Sequence, residues 1–170
     1  MDDFKMKLKL LAGLLLSTGS LLAVTQSYAA IPNLWQDNFI QGYITFDLSN
    51  AQGQSINITC SEDAAVDENS LDNSVTVTDA DGKEYTNSTT EFKFVIDDSV
   101  YLVPETTKLL NRSGYWINFF NAIKSPAATN FTIYANDKEL AQFKASAKNI
   151  KKAFSGAKCD PMADWDVMTM

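Results

Sequence analysis

Cys60 and Cys159 are the only cysteines in this 170-residue chain, and histidine is absent. That combination narrows both the chemistry and the fold. No Cys–His or Ser–His catalytic arrangement can be built without histidine. Two cysteines alone make a weak zinc set, and cysteines this far apart cannot form a thioredoxin-like Cys-X-X-Cys site. Cys60 closes the stretch SINITC in phase with Ile56 and Ile58, which puts it on the apolar face of a strand rather than at a reactive surface. An even number of cysteines in an exported chain indicates a disulfide. A Cys60–Cys159 bond would close a loop of about 100 residues and stabilise the fold by about 2–4 kcal/mol on the chain-entropy account.

Export is indicated by the opening residues, MDDFKMKLKLLAGLLLSTGSLLAVTQSYAA. Lys5, Lys7 and Lys9 form a positive region, and Leu10 to Val24 is mostly apolar. Ser27-Tyr28-Ala29 then places small residues at the −3 and −1 positions of a cleavage site before Ala30. Ser17, Thr18, Gly19 and Ser20 interrupt the apolar run, which is short for a bilayer span of about 20 residues. The expected organisation is a cleaved secretory signal peptide over 1–29, one globular domain over 30–159 and a C-terminal tail over 160–170. Met6 is an alternative start. The short lysine-rich leader is of bacterial type, so the expected location is the periplasm or the medium. The sequons at Asn57, Asn87, Asn111 and Asn130 are accordingly read as chance.

The formal net charge is −7, and loss of the leader, with three lysines and two aspartates, leaves −8. Such acidity repels nucleic acid and anionic membrane surfaces. It permits a basic protein partner or a cation.

Period-two alternation marks the strands. One is expected over Phe39–Ser49 and another over Ser55–Cys60. A hairpin is expected about Asp81-Gly82, a second about Asp97-Asp98 and a third over 130–145 with its turn at 136–139. Residues 105–113 suit a short helix. Ser113 suits the cap of a second helix, in which Trp116, Phe119, Phe120 and Ile123 follow an i, i+3, i+4, i+7 stripe. A last helix is capped by Ser146, carries Ala147, Ile150 and Phe154 on its apolar line and ends at Gly156. This order fits an α+β fold, a mainly antiparallel β-sheet with two or three short helices packed on one face, with a β-sandwich as the alternative.

No residue set carries a catalytic signature, and no cofactor motif is present. The acidic run after Cys60 offers Glu62, Asp63, Asp67 and Glu68 to a cation, but its spacing matches no metal loop. DADG at 79–82 lacks the later ligands of a calcium loop and reads as a turn. Lys148, Lys151 and Lys152 form one basic cluster, Tyr115 flanks the aromatic stripe, and Trp165 and Met168 give the acidic tail apolar character. These six are the candidate partner contacts. The function expected is a non-enzymatic protein-binding or accessory module of the cell envelope, secretion-associated or inhibitor-like. Its partner would be another envelope or secreted protein, with no nucleic acid, no cofactor and no membrane insertion after signal cleavage. The alternatives are a small-ligand or cation-binding periplasmic protein, and a carboxylate-dependent hydrolase, which needs two acids facing one cleft.

The intact mass of the exported protein is expected to lie about two mass units below that of its reduced form. Free reaction of both thiols with an alkylating agent before reduction would contradict the bond.

Overall fold

The computed structural model describes residues 31–61 and 72–162. The expected signal peptide, Glu62, Asp63, Asp67 and Glu68 of the acidic run, and Trp165 and Met168 of the tail lie outside the described residues.

Alternation along the strands gives each sheet one apolar face. The first sheet is an antiparallel meander of β1 (Gln36–Ile40), β2 (Tyr43–Ser49), β3 (Ser55–Ser61), β4 (Ser74–Thr78) and β5 (Glu84–Thr86). In β3, Ile56, Ile58 and Cys60 are buried while the residues between them are partly exposed. Ile58 stands between Phe46 and Val75 of the neighbouring strands. The second sheet contains β6 (Phe92–Ile96), β7 (Ser99–Val103), β8 (Asn130–Ala135) and β9 (Lys138–Lys144), in the order β7-β6-β8-β9. Phe92, Phe94 and Ile96 are its buried row on β6, and Ile133 lies between Phe94 and Ala141. Helix α1 (Leu110–Ile123) connects β7 to β8, and α2 (Ala147–Ala153) follows β9.

Aromatic rings join these layers into one core. Phe119 of α1 lies 4.7 Å from Phe94 of the second sheet, and its neighbour Phe120 lies 6.0 Å from Phe46 of the first. Phe154, just past α2, stacks on Phe46 at 4.4 Å and meets Trp35 edge-on at 5.1 Å. Burying such rings supplies the largest share of apolar area per residue, and edge or offset geometry adds about 0.5–1.5 kcal/mol per pair.

The α+β fold with antiparallel pairing, helices on one face and one disulfide is therefore present, with its strands divided between two sheets. Three local expectations change. The single strand expected over Phe39–Ser49 is a hairpin, because Gln41 and Gly42 both take positive φ (50° and 86°) and reverse the chain. Residues 105–109 are not helical, and the two helical pieces expected about Ser113 reduce to one helix that begins at Leu110. Ser113 sits inside it, buried, and its Oγ donates back to Leu109 O at 3.4 Å instead of capping. Ala147 is exposed rather than part of the apolar line, while Ser146 caps α2 as expected by accepting from Asn149 N–H at 3.2 Å.

The turns are of two kinds. Gln41-Gly42, Asp97-Asp98 and Asn136-Asp137 each join two strands with just two residues, both at positive φ, which is the requirement of a type I′ hairpin turn. The longer turns Asn50–Gln54 and Asp79–Lys83 share the pattern Asx-Ala-X-Gly-X and one geometry. Asn50 Oδ1 accepts from Gln52 N and Gln54 N, each at 3.0 Å. Asp79 Oδ1 accepts from Asp81 N at 3.0 Å and Lys83 N at 2.9 Å. Gly53 and Gly82 both take φ 81° in these turns. DADG is thus a turn whose first carboxylate is occupied by backbone donors.

Replacing Asp98 by Gly should stabilise the protein by about 0.5–1 kcal/mol, because glycine accepts positive φ without the Cβ penalty. A rise in the urea midpoint at unchanged slope would show it, and no rise would place the turn outside the strained class. The hydrogen bond from Lys83 N–H, with those from Asp81 and Tyr85, holds the Asp79 carboxyl below its ordinary value of 3.8. A depressed carboxylate contributes stability above its unfolded pKa and loses it as pH falls through the folded one. The Asp79 titration midpoint measured by NMR is accordingly expected below 3.8, and its downward shift should vanish in a peptide spanning the turn.

Candidate functional site

Cys60 and Cys159 are bonded, with Cα atoms 5.1 Å apart, and both are buried. Several side chains around the bond hydrogen-bond to backbone groups. Trp116 Nε1–H donates to Cys159 O at 2.8 Å, tying α1 to the C-terminal segment. Asn73 Nδ2 donates to Asp160 O at 2.7 Å, and its Oδ1 accepts from Ser61 N at 2.8 Å. The Asp72 carboxylate accepts from Thr107 N and from the hydroxyls of Thr106 and Thr107. Thr107 Oγ1 in turn accepts from Met162 N at 3.3 Å. Asp160 to Met162, the first residues of the expected tail, therefore rest on the domain, and Met162 is buried. This cluster is structural: its thiols are spent and its carboxylate is saturated.

A second set of side-chain amides closes the sheet borders. An edge strand presents N–H and C=O groups that must find partners or water. On β9, Leu140 O accepts from Gln54 Nε2 at 2.8 Å and Gln142 O from Asn50 Nδ2 at 2.9 Å. Just before β1, Trp35 N donates to Asn149 Oδ1 at 2.7 Å and Trp35 O accepts from Asn149 Nδ2 at 3.0 Å. Asn87 accepts from Val75 N at 2.9 Å and donates to Pro104 O at 2.7 Å, linking β4 to the end of β7. Asn50, Asn73, Asn87 and Asn149 are all buried. Sequence reasoning missed this role, since nothing in their spacing marks it. Burial of Asn87 is also consistent with its sequon being chance.

Large apolar side chains and lysines also stand outward on the sheet borders and on α2. Phe39 (65% exposed) and Ile40 (59%) lie on β1, and Ile31 (57%) precedes it. Val100 (61%) and Leu102 (39%) lie on β7, the border of the other sheet. Leu102 and Tyr115 line a cleft of about 410 Å³ with Arg112, whose guanidinium pairs with Glu105 at 3.1 Å. Of the expected partner contacts, Tyr115 therefore lies beside β7. Lys148 and Lys152 border a separate cleft of about 960 Å³ between β1 and α2, and Lys151 is exposed on the same helix. The structure does not bring Tyr115 and the lysines into one cleft.

A third, polar groove of about 900 Å³ carries Asp97, Asp98 and Glu139. All three acids are exposed. A carboxyl that serves as general acid near neutrality is usually raised by burial, and none of these three has that environment. Lys93 is held protonated above its ordinary value, first by Asp137 and then by Glu91, to which it donates. It is a cross-strand clamp on the β8–β9 turn. Among the described residues no three Cys, Asp or Glu side chains converge as metal ligands, and no helix is long and apolar enough to cross a membrane.

Residues 33–154 match the YfjT family, and the chain belongs to it. That span holds the nine strands and two helices of the described residues and Cys60, and stops short of Cys159. Uncharacterized protein YkfB of Escherichia coli (strain K12) is 30% identical over 130 residues, covering 75% of this chain and 81% of that protein. Uncharacterized protein YfjT of the same strain is 27% identical over 150 residues, covering 86% of this chain and 93% of that one. No solved structure matches.

Proposed function

We propose that this member of the YfjT family is an exported bacterial protein that acts by binding another envelope or secreted protein, without catalysing a reaction. The observation that carries this reading is the exposure of large apolar side chains on two sheet borders: Phe39 and Ile40, on opposite faces of β1, and Val100 and Leu102, on one face of β7. Edge strands that carry such residues invite pairing with another chain, and soluble proteins ordinarily blunt them with charge, proline or cover. Here amide side chains cover β9 and the residue before β1, but leave these side chains open. Tyr115 beside Leu102 and the lysines of α2 extend the two surfaces. Trp165 and Met168 are proposed to contribute from the tail.

The buried disulfide supports export to an oxidising compartment, because reducing cytosol does not sustain such bonds in most bacteria. The periplasm or the medium is the proposed location, after cleavage before Ala30. The proposed boundaries are those of the sequence: signal peptide over 1–29, domain from 30 to 159 and tail from 160.

A photo-crosslinking residue placed at Leu102, Tyr115 or Phe39 in living cells is expected to give a discrete adduct with an envelope protein from at least one position. That adduct should disappear when a neighbouring apolar residue is changed, as in Val100→Asp, while the thermal melt is preserved. Absence of any adduct from all exposed apolar positions, in a strain that exports the protein, would overturn the reading.

A further inference from the structure

We propose that the cleft between β1 and α2 receives an extended segment of a partner protein, one with the pattern acid–apolar–acid, which adds as a strand to β1. This rests on the protein-binding reading above and names one site and the chemistry of its occupant.

The free border of β1 is defined by its turn. With only Gln41 and Gly42 between the strands, Ile40 and Tyr43 face each other as the first hydrogen-bonded pair. Alternate residues back along β1 then direct N–H and C=O away from β2. These are Phe39 and Asp37, and before the strand Trp35. Trp35 already meets a strand mimic, since the Asn149 amide donates to its C=O and accepts from its N–H. The Asn149 contact shows that a peptide-like group fits along this border. Among the described residues no hydrogen bond fills the corresponding outward positions of Asp37 and Phe39. Two donors and two acceptors therefore stand in register for an incoming strand, the arrangement used in β-strand addition.

The walls of the cleft set the preferred side chains. Ile31, Leu34 and Ile40 give it apolar surface, and Lys148 and Lys152 line it from α2. Neither lysine takes part in an ion pair among the described residues. Asp37 is the one carboxylate in the lining, so the two ammonium groups outweigh it. Lys148 and Lys152 are four residues apart, a rise of about 6 Å along the helix. Alternate side chains of a strand are about 6.6–6.8 Å apart on one face. Long lysine stems absorb that small difference, so an acid–X–acid segment can pair both carboxylates at once. Its intervening residue then faces the other way. The protein as a whole is acidic, so two lysines beside an open border make this cleft a local exception to the overall charge.

The probe is the peptide acetyl-Thr-Asp-Val-Asp-Val-Thr-amide, with acetyl-Thr-Lys-Val-Lys-Val-Thr-amide as its charge-reversed control, titrated into isotope-labelled full-length exported protein. The acidic peptide is expected to slow hydrogen exchange at the Asp37 and Phe39 amides and to shift the Lys148 and Lys152 side-chain resonances. It should bind about tenfold more tightly than the control at low salt. That preference should be lost in the double variant Lys148→Glu, Lys152→Glu, and the single variant Lys152→Gln, which adds no like charge, should lose part of it. Equal binding of the two peptides would overturn the proposal, as would protection centred on Val100 and Leu102. Protection of Asp37 and Phe39 without peptide would overturn it too. Protection that grows with protein concentration would assign the border to a second copy. Protection that disappears when residues 163–170 are deleted would assign it to the chain's own Asp164-Trp165-Asp166. None of these results removes an adduct at Leu102 or Tyr115, so failure of the cleft and failure of the protein-binding reading are distinguishable.

Discussion

The covalent tie between Cys60 and Cys159 is the constraint on which the remaining arrangement depends. It joins the buried row of β3 to a segment beyond the last helix, across 99 residues of sequence. The segment it fixes then supplies backbone groups to distant elements. Cys159 O takes the only polar atom of the Trp116 side chain, and Asp160 O takes the Asn73 amide. Trp116 is fully buried, so its indole N–H would be costly without an acceptor. Through these bonds the disulfide sets where α1 lies against the first sheet. The aromatic pairs Phe119–Phe94 and Phe120–Phe46 then set where the second sheet lies against both.

Side-chain amides perform the work of absent strands. Asparagine and glutamine carry both a donor and an acceptor, so one side chain can meet a peptide group as another strand would. Asn149 does so at Trp35, while Asn50 and Gln54 supply only the donors, to the Gln142 and Leu140 carbonyls of β9. Burying an amide is favourable only when its groups are paired, and these pairs join residues 86 to 114 positions apart. Asn149, by stopping at Trp35, leaves the outward groups of Asp37 and Phe39 on β1 open. Stability and the proposed binding surface are thus two parts of one device.

Membership of the YfjT family places the fold in a bacterial lineage, and the matched span covers the two sheets and both helices. The proposed activity rests on surface chemistry rather than on a reacting centre. In the grooves that are described, acids are exposed or bound to backbone, and the thiols are joined. Open apolar borders and a pair of unengaged lysines are what those surfaces offer.

Several local features were legible in advance because they depend on neighbours in sequence. Ile56, Ile58 and Cys60 alternate, and alternation places them on one face of any strand they form. Trp116, Phe119, Phe120 and Ile123 recur at helical spacing and are buried together. Asp97-Asp98 and Asp81-Gly82 tolerate positive φ and lie in turns. Ser113 misled because a serine before glycine resembles a cap, whereas its hydroxyl bonds backward inside a continuous helix. Gln41-Gly42 was hidden because both sides of the turn alternate, so a hairpin and one long strand read alike.

By itself the sequence pointed to the disulfide, since only two cysteines exist, and marked the buried rows of β3, β6 and α1, since side-chain direction follows backbone period. Tertiary structure alone decided that the strands form two sheets, that four asparagines pair with distant backbone, and that Lys148 and Lys152 stand across a cleft from β1. Those outcomes depend on which elements meet after the chain closes, and periodicity carries no information about partners remote in sequence.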